Sequence, residues 1–267
     1  MKKYLLFLTL FTTTSVFSQI ISNRDPEIEN MVKEVAADSL QSYINTLVSF
    51  GTRSTLSTQT DSKRGIGAAR NWVLQKFNEF AKNADGRLTA MIDTTTIHPS
   101  TRMNEPILLG NVMATLKGTD PNDHRIFIIS GHLDSRRSDV MNKTGDAPGA
   151  NDDGSGTAAV IECARIMSKH SFPATIIFVA VSGEEQGLYG STFMANKAKK
   201  ENWDITAVLN NDIIGSNNSN QTNIINNTEV RVFSEGIPAT ATEKDITKIR
   251  ALGLENDSKS RELGKIY

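Results

Sequence analysis

Apolar residues recur at helical spacing over residues 27–49: Ile28, Met31, Val32 and Val35, then Leu40, Ile44, Leu47 and Val48. The pattern predicts one or two helices there. A polar stretch follows, "GTRSTLSTQTDSKRGIG". The run "GAARNWVLQKFNEFAKN" then places Ala69, Trp72, Val73, Phe77 and Phe80 on one face of an amphipathic helix. Residues 87–97 and 111–118 are short, β-rich segments separated by a Pro/Thr/Asn loop.

From residue 125 the pattern changes. Residues 125–135 begin with an unbroken apolar run, Ile126 to Ile129, which suits a strand covered on both faces. Residues 155–170 read as a helix, 174–185 as a second buried strand, "GLYGSTFMANKAKK" as a helix with its lysines at the C-terminal end, and 205–215 as a third strand. Strand–helix alternation of this kind predicts an α/β fold with a largely parallel sheet. The Asn-rich stretch 216–227 reads as a loop, "VRVFSE" (230–235) as one more strand, and 242–267 as helical.

Composition adds bounds. The chain has 267 residues, 38% of them hydrophobic, and 30 acidic against 29 basic side chains, a net charge of -1. That balance suggests no nucleic-acid or anionic-membrane partner. The single cysteine, Cys163, allows no intrachain disulfide and reads as a buried structural thiol; His98, His124 and His170 read as surface residues. The start of the chain has Lys2 and Lys3, an apolar run from Leu5 to Phe11, and small residues at Val16 and Ser18. It predicts a signal peptide over residues 1–18, export to the periplasm or beyond the cell, and no membrane anchor. Residues 19–267 are then expected to form one domain.

The chemistry sits where the three strands end. The first ends in "GHLDS", giving His132 and Asp134; the second in "SGEEQG", giving Glu184 and Glu185; the third in "NNDIIG", giving Asp212. The loop "GANDDGSG", with adjacent Asp152 and Asp153, lies between the first strand and its helix. Each piece has a plain reading on its own: a structural histidine, a helix start, a turn. In a parallel sheet all four converge on one edge. So many carboxylates could not all remain ionised there without a cation. One imidazole among carboxylates, with no thiolate, suits zinc.

The run "SGHLDS … GANDDGSGTAAVIECAR … VSGEEQGLYGS … LNNDIIG" resembles the co-catalytic zinc aminopeptidase family. This is the bacterial leucyl-aminopeptidase type, related to glutamate carboxypeptidase and the transferrin receptor. The resemblance implies a three-layer αβα fold around a mixed, mostly parallel sheet, of the zinc-peptidase phosphorylase/hydrolase-like kind. It implies that His132 and Asp212 bind one zinc, that Asp152 bridges to a second, and that Glu185 binds the second. Glu184 would be the general base and Asp134 would support His132. It further implies a strained, cis Asp152–Asp153 peptide. The implied activity is hydrolysis of peptides with a free N-terminus through a hydroxide shared by two zincs. The alternatives are a carboxypeptidase, a dipeptidase or a glutaminyl cyclase of the same fold, or a binding module.

One feature departs from that family. Its fifth ligand is a histidine well beyond the third strand, and no histidine here follows Asp212. The expectation is a chain shortened at its C-terminus, without the closing elements, whose second zinc is weakly held by Asp152 and Glu185 alone.

Overall fold

The computed structural model describes residues 24–218, 224–238, 240–254 and 258–264. The predicted signal peptide lies outside the described residues. The chain divides into two compact units, one ending at Ile214 and one starting at Gly215.

The first unit opens with helices α1 (Pro26–Lys33), α2 (Ala37–Ser49) and α3 (Gly65–Ala81). Strands β1 (Leu88–Ile97), β2 (Ile107–Leu116) and β3 (Arg125–His132) follow, then α4 (Gly154–Met167), β4 (Thr175–Val181), α5 (Tyr189–Lys200) and β5 (Asp204–Asn210). The sheet order is β1-β2-β4-β3-β5. β2 is antiparallel to β1 and β4, whereas β3 is parallel to β4 and β5. Only β2 therefore runs against the other four, and the sheet is mixed, with two antiparallel and two parallel pairings rather than a mostly parallel set.

Helices cover both faces, giving three αβα layers. On one face Leu47 of α2, Val73 and Phe77 of α3, and Ile161 of α4 pack on Val112, Ala114, Leu116 and Phe178 of the sheet. On the other, Met194 of α5 packs on Met113, Ile128, Ile177, Val179 and Val181. β4 shows why its run is continuously apolar: six of its seven residues are buried. The α1–α2 junction is pinned to α4, since Glu162 accepts from the Ala36 amide at 2.9 Å and Arg165 donates to the Glu34 carbonyl at 2.7 Å.

Two strand readings need correction. β5 runs over Asp204–Asn210 and not 205–215, so Asp212 lies two residues beyond it, and only its Ala207 is buried, as suits a strand at the sheet edge. In the second unit the segment 230–235 forms no strand. Its Val230, Val232 and Phe233 are exposed, and β propensity without a partner strand forms no ladder. That unit contains helices α6 (Glu243–Leu252) and α7 (Lys259–Gly264). α6 starts on a capping box between Thr242 and Asp245 and stops at Gly253, whose φ of 67° a helix cannot continue. No helix among the described residues is long and apolar enough to cross a membrane.

Candidate metal centre

The parallel strands β3, β4 and β5 bring their carboxyl ends to one edge, and the polar groups gather there. His132 is the last residue of β3 and its side chain is buried. Its Nε2 lies 3.1 Å from Asp152 Oδ1, 3.9 Å from Asp212 Oδ1 and 4.0 Å from Glu184 Oε2. One donor atom each from His132, Asp152 and Asp212 falls within a 4.8 Å group. The imidazole Nδ1 is 3.0 Å from the Asp134 carbonyl oxygen. A carbonyl only accepts, so Nδ1 carries a proton and Nε2 is the nitrogen left to face the carboxylates.

The field at this spot calls for positive charge. Burial opposes a charged imidazole, yet the carboxylate of Asp134, 3.6 Å from Nδ1, together with the charges of Asp153 and Glu184, pushes His132 up to about 10. Burial raises Glu184, the His132 charge offsets part of that, and Asp134, Asp212 and Asp152 raise it further. A dication answers the same field more fully than a proton does.

Asp134 is completely buried and holds the glutamate turn. Its Oδ1 accepts from the Glu184 amide at 3.2 Å, and its Oδ2 from the Glu185 amide at 3.1 Å and the Thr55 hydroxyl at 3.0 Å. The resemblance implies that Asp134 supports His132: its backbone carbonyl accepts from the ring Nδ1–H, its carboxylate lies 3.6 Å from the same nitrogen, and that carboxylate also holds the next strand's turn.

The second aspartate of the loop had no role assigned from sequence, and the structure gives it one. The Asp152–Asp153 peptide is cis. Asp152 is half-exposed toward the donor group, and Asp153 turns inward to complete burial. Asp153 Oδ2 accepts from the His132 amide at 2.9 Å, and Oδ1 accepts from Gly156 at 2.9 Å and Ile213 at 3.3 Å. It thus caps α4 and ties the ends of β3 and β5 to one another. Burial raises it to about 7 despite the His132 charge and these amides. Ile213, next to Asp212, sits at φ 54°, a left-handed conformation that a β-branched residue rarely adopts. The cap reaches across because residue 156 is glycine: a Cβ there would meet the Asn211 carbonyl oxygen at 2.2 Å.

Glu185 stands outside the three-donor group. Its Oε2 is 2.6 Å from Arg136 Nε, and its backbone carbonyl accepts from Arg102 Nη1 at 2.8 Å. Burial raises its carboxyl, Asp152 adds repulsion, and Arg136 offsets part of both. Neither arginine carried a sequence signal beyond surface charge. Thr55, within the polar stretch after α2, was equally silent.

The donor set fits zinc: one imidazole nitrogen, two carboxylates and an open side, as in zinc sites that keep a position for substrate. The sequence comparisons agree with this chemistry. The model of peptidase family M28 matches residues 111–257. This chain belongs to peptidase family M28. A probable zinc metalloprotease of Pyricularia oryzae is 44% identical over 255 residues, covering 94% of this chain and 50% of that protein. The M28 chain thus spans about half the length of the curated relatives it matches. Among solved structures, the Legionella pneumophila LapA aminopeptidase superposes with a TM-score of 0.56 at 23% identity, over 74% of this chain and 50% of that one. Porphyromonas gingivalis glutaminyl cyclase gives 0.54 at 19%, over 68% and 61%. These two likenesses show a shared fold.

The remaining histidines and the cysteine lie away from the donor group. His98 and His124 are exposed, as expected of surface residues. His170 is not: it is half-buried, 3.3 Å from Glu34 and 3.6 Å from Glu27. Cys163 is half-buried against the core, and burial raises its thiol.

Proposed function

We propose that this protein is a zinc metallopeptidase that removes residues from peptides with a free N-terminus. The observation that carries the reading is the His132–Asp152–Asp212 donor group with Glu184 4.0 Å from its imidazole. His132, Asp152 and Asp212 would hold the first zinc. A second, weaker one would take Asp152 and Glu185, and Arg136 would first have to leave Glu185. When bound, zinc acts as a Lewis acid on the scissile carbonyl and makes water nucleophilic near neutral pH.

The protein side chains supply the rest. Glu184 takes the proton of the attacking water and hands it to the leaving amine, a task its raised pKa favours. Asp134 fixes the Glu184 backbone, so the carboxylate is aimed from a rigid turn. The acidic rim of Asp152, Glu184, Glu185 and Asp212 attracts the substrate ammonium.

The test compares leucine p-nitroanilide with its N-acetylated form, both with zinc present. The free-amine substrate is expected to turn over at least about a hundredfold faster, in line with the cost of leaving a buried recognition group unpaired. Release of C-terminal residues from N-blocked peptides points to a carboxypeptidase; hydrolysis of free dipeptides with no turnover of longer peptides or of either anilide points to a dipeptidase. Zinc binding with no turnover of either points to a binding module.

We also propose that residues 1–18 direct export, on the strength of the basic, apolar and small-residue order of that segment. N-terminal sequencing of the exported protein is expected to begin at Gln19; an intact Met1 there rejects this reading.

A further inference from the structure

The stretch 51–55, between α2 and α3, runs beneath the metal centre. Thr52 bridges to Ala147, and the Ala147 amide donates to the Gly51 carbonyl at 2.8 Å. The Arg53 amide donates to Ser135 Oγ at 3.1 Å, and that hydroxyl donates to the Ala147 carbonyl at 2.6 Å. The Arg53 side chain, only 1% exposed, reaches four backbone carbonyls. Nε donates to Leu133 at 2.8 Å, Nη1 to Leu47 at 3.1 Å and Pro148 at 2.6 Å, and Nη2 to Gly149 at 2.8 Å.

Those acceptors are not arbitrary. Leu133 lies between His132 and Asp134, and Gly149 begins the turn that delivers Asp152. Gly149 has φ 47°, and a Cβ there would come within 2.5 Å of the Asp152 carbonyl oxygen and 3.0 Å of Arg53 Nη2. One rigid guanidinium therefore links the β3 end, the aspartate turn and the C-terminal turn of α2. Only arginine offers donors in a planar fork that can reach so many carbonyls at once.

We infer that Arg53 is a positioning residue of the metal centre, holding the His132 strand end and the Asp152 turn at the separation a cation requires. The inference rests on the zinc reading above. It makes a prediction of diagnostic sign. The buried Arg53 charge interacts electrostatically with Asp134, Asp153 and Asp152 and opposes a dication among them, so charge alone would make Arg53 a hindrance to zinc. Any tightening it brings must come from geometry.

The test measures zinc dissociation constants by competition with a chromophoric chelator for the wild type, Arg53→Lys and Arg53→Met, each checked for folding by circular dichroism. Both variants are expected to bind zinc at least about tenfold more weakly, the range seen when residues supporting metal ligands are lost. Leu116→Ala is the control: it opens a cavity in the core at the opposite end of β2 and is expected to leave the constant within about twofold. The inference is overturned if Arg53→Met binds more tightly, if Arg53→Lys binds like the wild type, or if Leu116→Ala weakens binding equally. Should neither Arg53 variant fold, Ser135→Ala, which cuts the same strap more mildly, decides by the same measurement; an unchanged constant overturns the inference. A wild type that binds no zinc sinks the zinc reading itself and is distinguishable from each of these results.

Discussion

Replacing Glu184 by Gln is expected to remove hydrolysis of leucine p-nitroanilide while leaving zinc in place. Glutamine matches the shape of glutamate but cannot take a proton from water. General-base groups contribute roughly 10²–10⁴-fold to rate, so kcat should fall by that factor. The geometry says why zinc should stay. Glu184 lies 4.0 Å from His132 Nε2 and outside the group formed by His132, Asp152 and Asp212. Its backbone is held by Asp134, which the substitution leaves untouched. The zinc dissociation constant should change by less than about threefold, well under the 10–100-fold expected when a group supporting a ligand is lost. A variant that keeps more than a tenth of kcat would show that another group is the base. One that loses zinc in parallel with rate would show that Glu184 is a ligand.

The sequence carried the architecture far better than it carried the wiring beneath the site. The runs 126–129 and 176–181 were legible because strands covered on both faces are apolar throughout. That His132, Asp134, Asp152, Glu184, Glu185 and Asp212 would gather at one edge was legible from parallel topology, since parallel strands end on the same side; which of them would hold a metal came only from the family resemblance. Arg53, Thr55, Arg136 and Arg102 were invisible for a physical reason: an arginine or threonine in a polar stretch has the same local signature whether it meets water or four buried carbonyls. Only tertiary contact separates the two. Asp153 stands between these cases. Its position before Gly154, Ser155 and Gly156 is that of a helix cap, which sequence can show; its hold on the β3 and β5 ends is not local. The 230–235 segment shows the converse, a strand-like pattern with no neighbouring strand to pair with among the described residues.

His132→Ala is expected to have the largest effect on zinc, because it removes the imidazole of the three-donor group and leaves two carboxylates facing one another. Supporting residues are worth 10–100-fold in affinity, so a direct ligand should cost more than about 100-fold. Thermal unfolding reads this directly. Zinc at a hundred times its dissociation constant stabilises the folded state by about 2.7 kcal/mol, and the variant should lose nearly all of that increment. Without metal the same substitution has a pH signature. His132 is raised from 6.5 to about 10 by the surrounding acids, so its charge stabilises the fold when protonated. For a raised pKa that contribution is fully present below the ordinary value of 6.5 and is lost as the pH climbs through about 10. The advantage of metal-free wild type over His132→Ala should therefore be greatest in mild acid and shrink steadily into the alkaline range. A zinc-induced rise in unfolding temperature equal to that of the wild type would place the metal elsewhere, because Asp152 and Asp212 alone offer two carboxylates where zinc takes three or four ligands.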